Sequence, residues 1–256
     1  MNPVVVLFPV GDDPPKATLY FGVDALTVLR QMATGSADMV VTTPPGWGQP
    51  NQEPSQRWPT VTFEPLFGTS HSTPPQTVSL GFEQHPLDYV GHLLLVFREL
   101  RRVLSSDGLV FLTCGDLTSD RSRQVPKLKS WDLVGLPWVL AFALRTDGWQ
   151  LREDFAGKSP RGYSFLLAHP DRDGEFESPD LPGPAEMILA GTRDRAMVLD
   201  PFSGSGKTGS VALRLGRNFT GILSDTEARV LGYSPPLVEG EDPVLEMFGE
   251  EPHVRA

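Results

Sequence analysis

The chain holds a single cysteine, Cys114, in 256 residues. One cysteine excludes an internal disulfide and any zinc site built on cysteines. The five histidines are scattered without metal-ligand spacing, so no metal is expected. No run of about 18 apolar residues occurs, which excludes a membrane-spanning helix. The apolar stretch 1–9 lacks a basic flank and is too short for a secretory signal. Internal repeats are absent. A soluble, cytoplasmic protein is the expectation.

Basic residues are also in short supply. Lys and Arg number 22 against 32 Asp and Glu, a net charge of −10. Taken over the whole chain, this balance argues against nucleic acid as a partner. The acid is unevenly placed, however. Glu239, Glu241, Asp242, Glu246, Glu250 and Glu251 crowd the last stretch, and without those six the remainder stands at about −4. The span holding Arg121, Arg123, Lys127 and Lys129 contains no acid, and reads either as a local basic face or as a solvated loop.

The chain alternates strands and helices. Strand patterns lie at 18–21, 38–42, 109–113, 149–155, 163–168, 198–200 and 218–223; helical patterns lie at 25–32, 87–104, 133–144, 185–190 and 210–215. Stretch 38–42 is apolar throughout after Asp38, which suits a central parallel strand buried on both faces. Such alternation implies an α/β domain with helices on both sides of a mostly parallel sheet. Residues 1–234 read as one domain and 235–256 as an acidic, disordered tail. Within the domain, 48–84 is rich in Pro, Ser, Thr and Gln with little periodicity, and reads as a long mobile loop.

Two stretches carry chemistry. The first is Val198-Leu199-Asp200-Pro201-Phe202-Ser203-Gly204-Ser205-Gly206-Lys207-Thr208, a buried strand, a glycine turn and a helix start. Helix N-terminal amides converge at such a turn, which makes it a nucleotide-type cradle. A Walker phosphate loop is a poor match, since Pro201 stands where its first glycine belongs. The second is Asp38-Met39-Val40-Val41-Thr42-Thr43-Pro44-Pro45-Gly46-Trp47, a strand stopped by two prolines.

The string Asp200-Pro201-Phe202-Ser203-Gly204-Ser205-Gly206 resembles the S-adenosylmethionine loop of amino-group DNA methyltransferases. Leu215-Gly216-Arg217-Asn218-Phe219-Thr220-Gly221 resembles that family's continuation, and Thr43-Pro44-Pro45 its catalytic motif. The order, catalytic motif first, is similar to the circularly permuted subgroup that methylates cytosine N4 or adenine N6. The resemblance implies a Rossmann-like methyltransferase fold with a seven-stranded sheet, S-adenosylmethionine as cofactor, and double-stranded DNA with a flipped base as substrate. A hydroxyl at position 43 rather than a carboxylate leans toward cytosine N4. The resemblance leaves open a restriction endonuclease partner and a homodimer, as well as two other readings: an impaired relative acting as a binding subunit, and an enzyme acting on RNA.

The same resemblance assigns roles. The Thr43 hydroxyl and the Pro44 carbonyl accept the amino hydrogens of the base, with Pro45 stiffening the strand end. Phe202 lies against the methyl donor. Gly204 and Gly206 let backbone amides approach it, with Pro201, Ser203, Ser205 and Thr208 completing the loop. Asp200 holds its amino group, and Asp24 helps to hold its adenine. The residue after Pro-Pro, an aromatic in the family, is Gly46 here, and stacking on a base is worth roughly 1–3 kcal/mol. Trp47 is the expected substitute, with Trp58 and Phe63 as other candidates and core packing as the alternative for Trp47. The family's ribose-bonding acid just after Gly221-Ile222 is replaced by Leu223, and Asp225, two places late, is the cofactor-binding candidate in its stead, provided the strand end is reshaped. Asp116 reads equally as a pocket acid or as a turn acid. Lys158-Ser159-Pro160-Arg161 stands where relatives carry a longer Lys-Pro segment.

Overall fold

In a computed structural model, residues 4–7, 14–48, 55–119, 125, 128–156, 161–174 and 183–223 are described. The sheet is built around β3 (Ala37–Thr42), whose residues alternate between two cores. Val40 faces one side, with α1 (Ala25–Gln31), α2 (Pro86–Val103) and α3 (Leu136–Thr146). Met39 and Val41 face the other, with α4 (Pro184–Gly191) and α5 (Lys207–Arg214). Burial on both faces is what the continuous apolar run of a parallel strand requires.

The remaining strands of the sheet are β1 (Val4–Leu7), β2 (Lys16–Phe21), β8 (Leu104–Gly115), β9 (Gln150–Ala156), β10 (Gly162–Ala168), β11 (Met197–Asp200) and β12 (Asn218–Leu223). Their order is β1-β2-β12-β11-β3-β8-β10-β9. The five central strands, β2 to β8 in that order, run parallel, and β1, β10 and β9 pair antiparallel. The expected mostly parallel sheet with helices on both faces is therefore present, with eight strands rather than seven. The additional strand is β1, which covers the free edge of β2. Among the described residues no helix is long and apolar enough to cross a membrane.

Two local readings change. Ser106-Asp107-Gly108, which falls between the helical pattern 87–104 and the strand pattern 109–113, lies inside β8, where the register against β3 shifts. A Cβ on Gly108 would meet Leu104 Cγ at 2.4 Å, so the bulge requires a bare backbone. The stretch 55–84, read as a loop, carries two short antiparallel ladders. These are β4 (Gln56–Trp58) with β7 (Gln76–Val78), and β5 (Thr62–Phe63) with β6 (His71–Ser72). It packs closely on α2: a Cβ on Gly91 would stand 2.5 Å from Thr73 Cγ2. Trp58 is fully buried, donates its indole N–H to the Val78 carbonyl at 2.9 Å and stacks on His92 at 4.5 Å. Isolated apolar residues among polar ones carry no period, which is why their burial was invisible in the sequence.

If this insertion is part of the cooperative core, Trp58→Ala should cost about 3–5 kcal/mol in urea unfolding. A loss below about 1 kcal/mol would show that 55–84 folds apart from the sheet.

Candidate active site at the carboxyl edge of the sheet

The two sequence motifs end on adjacent strands. β11 and β3 pair in parallel, with Val198 opposite Met39 and Leu199 opposite Val40. From β3 the chain crosses through α2 to β8 on one side; from β11 it crosses through α5 to β12 on the other. The connections diverge between these two strands, leaving the crevice where open α/β sheets bind ligands.

A buried hydrogen bond joins the two strand ends. The Thr42 hydroxyl donates to Asp200 Oδ1 at 2.8 Å, and the same oxygen accepts the Phe202 N–H at 3.2 Å. Asp200 thus fixes both the end of β3 and the first turn of its own loop. Phe202 and Pro201 are buried. The Ser203 N–H bonds to the Ile222 carbonyl of β12 at 3.0 Å, and its carbonyl accepts the Gly206 N–H at 2.8 Å. Gly204 and Gly206 both take left-handed backbone, at φ 49° and 71°, a region that favours glycine. Ser205 is exposed and Thr208 half-buried. The loop delivers the chain into α5, whose N-terminus has no side-chain cap. Its first amides, together with Ser203 Oγ, which is buried without a partner, form a polar cradle.

On the catalytic side, Thr43 is exposed at the end of β3, Pro44 is buried and Pro45 half-buried. The loop rests on α2. The Tyr89 hydroxyl donates to the Pro45 carbonyl at 2.8 Å. Burial, with Cys114 and Glu83 nearby, holds that hydroxyl protonated well above its ordinary 10.0, so it stays a donor. The Trp47 indole N–H donates to the Glu83 carbonyl at 2.8 Å, and the Gly48 N–H to the Gly81 carbonyl at 2.6 Å. The Glu83 carboxylate is wholly buried. It accepts the Gly81 N–H at 2.8 Å and lies 2.8 Å from His92 Nδ1.

This arrangement corrects the stacking role expected of Trp47. The ring is 4 % exposed, belongs to the core and has its N–H committed below the loop. Trp58 and Phe63 are equally buried. Tyr89, Glu83 and His92 went unnoticed in the sequence. A signal existed: Asp88, Tyr89 and His92 interrupt the apolar stripe of α2 on its buried side, where polar groups need partners.

The other expected residues fall as follows. Asp24 caps α1, accepting the Thr27 N–H at 2.8 Å, just beyond the end of β2 on the same edge. Asp116 accepts the N–H groups of Leu117, Gly135 and Leu136, so it is the turn acid that holds the start of α3. Leu223 is buried, and its carbonyl ties the end of β12 to Gly22. Asp225, Arg121, Arg123, Lys127, Lys158 and the acidic tail lie outside the described residues. The histidines are less scattered than their spacing implies: His71, His85 and Asp88 come together. Helix capping and an ion pair account for that cluster. His85 Nδ1 accepts the Leu87 N–H, and His71 Nε2 lies 3.0 Å from Asp88.

Thr42→Val, which keeps the shape and deletes the hydroxyl, should cost about 1–3 kcal/mol in urea unfolding. An unchanged midpoint would mean the Asp200 bond contributes nothing. Cys114 supplies a second test. Burial, then Asp116, raises its thiol from 9.0 to about 12. The folded thiol keeps its proton where the unfolded one loses it, so stability falls as pH rises from about 9 toward 12. Unfolding free energies from urea titrations should decline over that range at up to about 1.4 kcal/mol per pH unit, and Cys114→Ala should flatten the decline.

A profile for DNA methylases of the N6/N4 type matches residues 184–231. The Type II methyltransferase M.Cfr9I of Citrobacter freundii is 29% identical over 276 residues, covering 82% of this chain and 84% of its own. Among solved structures, the cytosine-N4-specific PvuII DNA methyltransferase superposes with a TM-score of 0.57 at 14% identity, over 91% of both chains. TTHA0409 of Thermus thermophilus, described as a putative DNA modification methylase and solved with S-adenosyl-L-methionine, gives 0.55 at 19% identity, covering 80% of this chain and 86% of its own. The profile covers β11, α5 and β12 and the relative most of the chain, so the chain is similar to N4/N6 amino-group DNA methyltransferases.

Proposed function

We propose that the protein transfers a methyl group from S-adenosylmethionine to an exocyclic amino group of a base in DNA, with cytosine N4 as the acceptor. The observation that carries this reading is the bond between Thr42 and Asp200, which fixes Thr43-Pro44 beside the glycine loop at the divergence of the sheet.

The residues present fit the cofactor. The uncapped α5 N-terminus, the left-handed turn at Gly204 and Gly206, and the unpartnered Ser203 Oγ offer donors to its amino-acid end. Asp200 and Asp24 supply carboxylates at the same edge, and Phe202 and Pro201 an apolar wall. When bound, S-adenosylmethionine supplies an activated methyl group, so the protein's task is orientation and the exclusion of water.

An exocyclic amino nitrogen is a weak nucleophile, because its lone pair is delocalised into the ring. Acceptors on its hydrogens favour a pyramidal nitrogen with a localised lone pair. The Thr43 hydroxyl and the Pro44 carbonyl are those acceptors. They are placed before the substrate arrives by the two prolines, by Tyr89 beneath Pro45 and by the Thr42–Asp200 bond. A hydroxyl at position 43 leaves no second charge beside the base, which favours cytosine N4 over adenine N6. The base reaches this edge only by leaving the duplex stack, at a cost of roughly a few kcal/mol. Chromosomal DNA as substrate implies a cytoplasmic protein.

Tritiated methyl from the cofactor should appear in unmethylated genomic DNA, and nucleoside digestion should recover N4-methylcytosine. Thr43→Ala should lower transfer about 100-fold or more while leaving cofactor affinity by calorimetry within about threefold. Label recovered as N6-methyladenine would overturn the base assignment, and wild-type protein that binds no cofactor at millimolar concentration would overturn the enzyme.

A further inference from the structure

Among the described aromatics at the carboxyl edge, one is held in solvent by the catalytic loop itself. Phe82 is 51 % exposed, yet the backbone on both sides of it is pinned. The Gly81 carbonyl accepts the Gly48 N–H, and the Glu83 carbonyl accepts the Trp47 indole N–H. The Phe82 N–H closes a turn onto the Ser79 carbonyl at 3.0 Å, with Gly81 at φ 93°. Glu83 then clips the turn from below, through the Gly81 N–H and through His92. A buried carboxylate is a costly way to hold a surface turn, and here it fixes the backbone that carries an exposed apolar ring next to the segment that follows Thr43-Pro44-Pro45.

We propose that Phe82 is the stacking surface for the base that leaves the duplex, a role that rests on the DNA-methyltransferase reading above. An extruded base has lost both stacking neighbours, and an apolar or aromatic face is what replaces them. Gly46 presents no side chain. Trp47, Trp58 and Phe63 are buried, and the two indole N–H groups are committed. Phe67 is exposed, but it lies beneath the Arg145 guanidinium in the last turn of α3, far from this edge. Trp131 is the rival. It is 78 % exposed at left-handed φ 78°, in a loop bonded to Ser119 beyond β8. Phe82 is the exposed aromatic whose two chain neighbours, Gly81 and Glu83, are bonded to Gly48 and Trp47, so its backbone moves with the acceptors it must serve.

The test begins with wild-type protein on unmethylated plasmid DNA, from which the modified site is mapped. A duplex carrying 2-aminopurine at that base then reports extrusion by its fluorescence. Phe82→Ala should lower kcat/KM about 10- to 100-fold and abolish most of the fluorescence rise. Calorimetric affinity for S-adenosylmethionine and the melting temperature should stay at wild-type values. Phe82→Trp should restore both DNA readouts to within about threefold, and Phe67→Ala should change neither. The proposal is overturned if Phe82→Ala behaves like Phe67→Ala, if it weakens cofactor binding equally, or if Trp131→Ala alone abolishes the fluorescence rise. A wild-type protein that transfers no methyl group fails at the first step, which sinks the enzymatic reading and this role with it.

Discussion

The site depends on one buried hydrogen bond, from Thr42 to Asp200. Parallel pairing sets β3 and β11 side by side, but a ladder fixes strands only as far as its last backbone bond. Beyond that point each chain turns away, one through two prolines and the other through a glycine turn. The side-chain bond extends the registration one step further, to where the strands have stopped pairing. Because Asp200 also accepts from Phe202, a single carboxylate oxygen couples the exit of one motif to the fold of the other. A charged acceptor is suited to this, since such bonds are shorter and stronger than neutral ones.

Beneath the catalytic loop lies a second constraint of a different kind. Tyr89, Glu83, His92 and Trp47 form a polar group inside an otherwise apolar core, and nearly every contact ends on the backbone of 45–48 or 81–83. Such groups are costly when half satisfied and stiffening when satisfied. One ring nitrogen, His92 Nε2, has no partner among the described residues, which is a cost to stability. That division suits a reaction in which the protein contributes placement more than bond chemistry.

The fold was largely legible in the sequence. β3 and β11 carry short apolar runs, β8 the run 109–112 and α2 a helical period, and these survive without tertiary information. What the sequence hid was set by packing. Trp47 and Trp58 look alike as letters among prolines and polar residues; only burial separates them from Phe82. The insertion 55–84 has no period because its ladders are two or three residues long. Asp116 admits two readings as a letter, and the three backbone N–H groups that point at it decide between them. His71, His85 and Asp88 meet because a strand of the insertion returns to the start of α2, which spacing cannot reveal.

The strand order also bears on how the chain comes together during synthesis. β2, β3, β8, β9 and β10 precede β11 and β12 in the chain, yet the last two sit between β2 and β3. A nascent chain can pair β3 with β8 while leaving a gap two strands wide at the middle of its sheet. The partner that closes Thr42 lies 158 residues downstream, roughly 10–30 s later at ordinary elongation rates. The β11-α5-β12 unit therefore enters as a wedge, and it brings the glycine loop with it. Until then two apolar strand edges stand open, and the growing protein is at its most vulnerable to pairing with a neighbour.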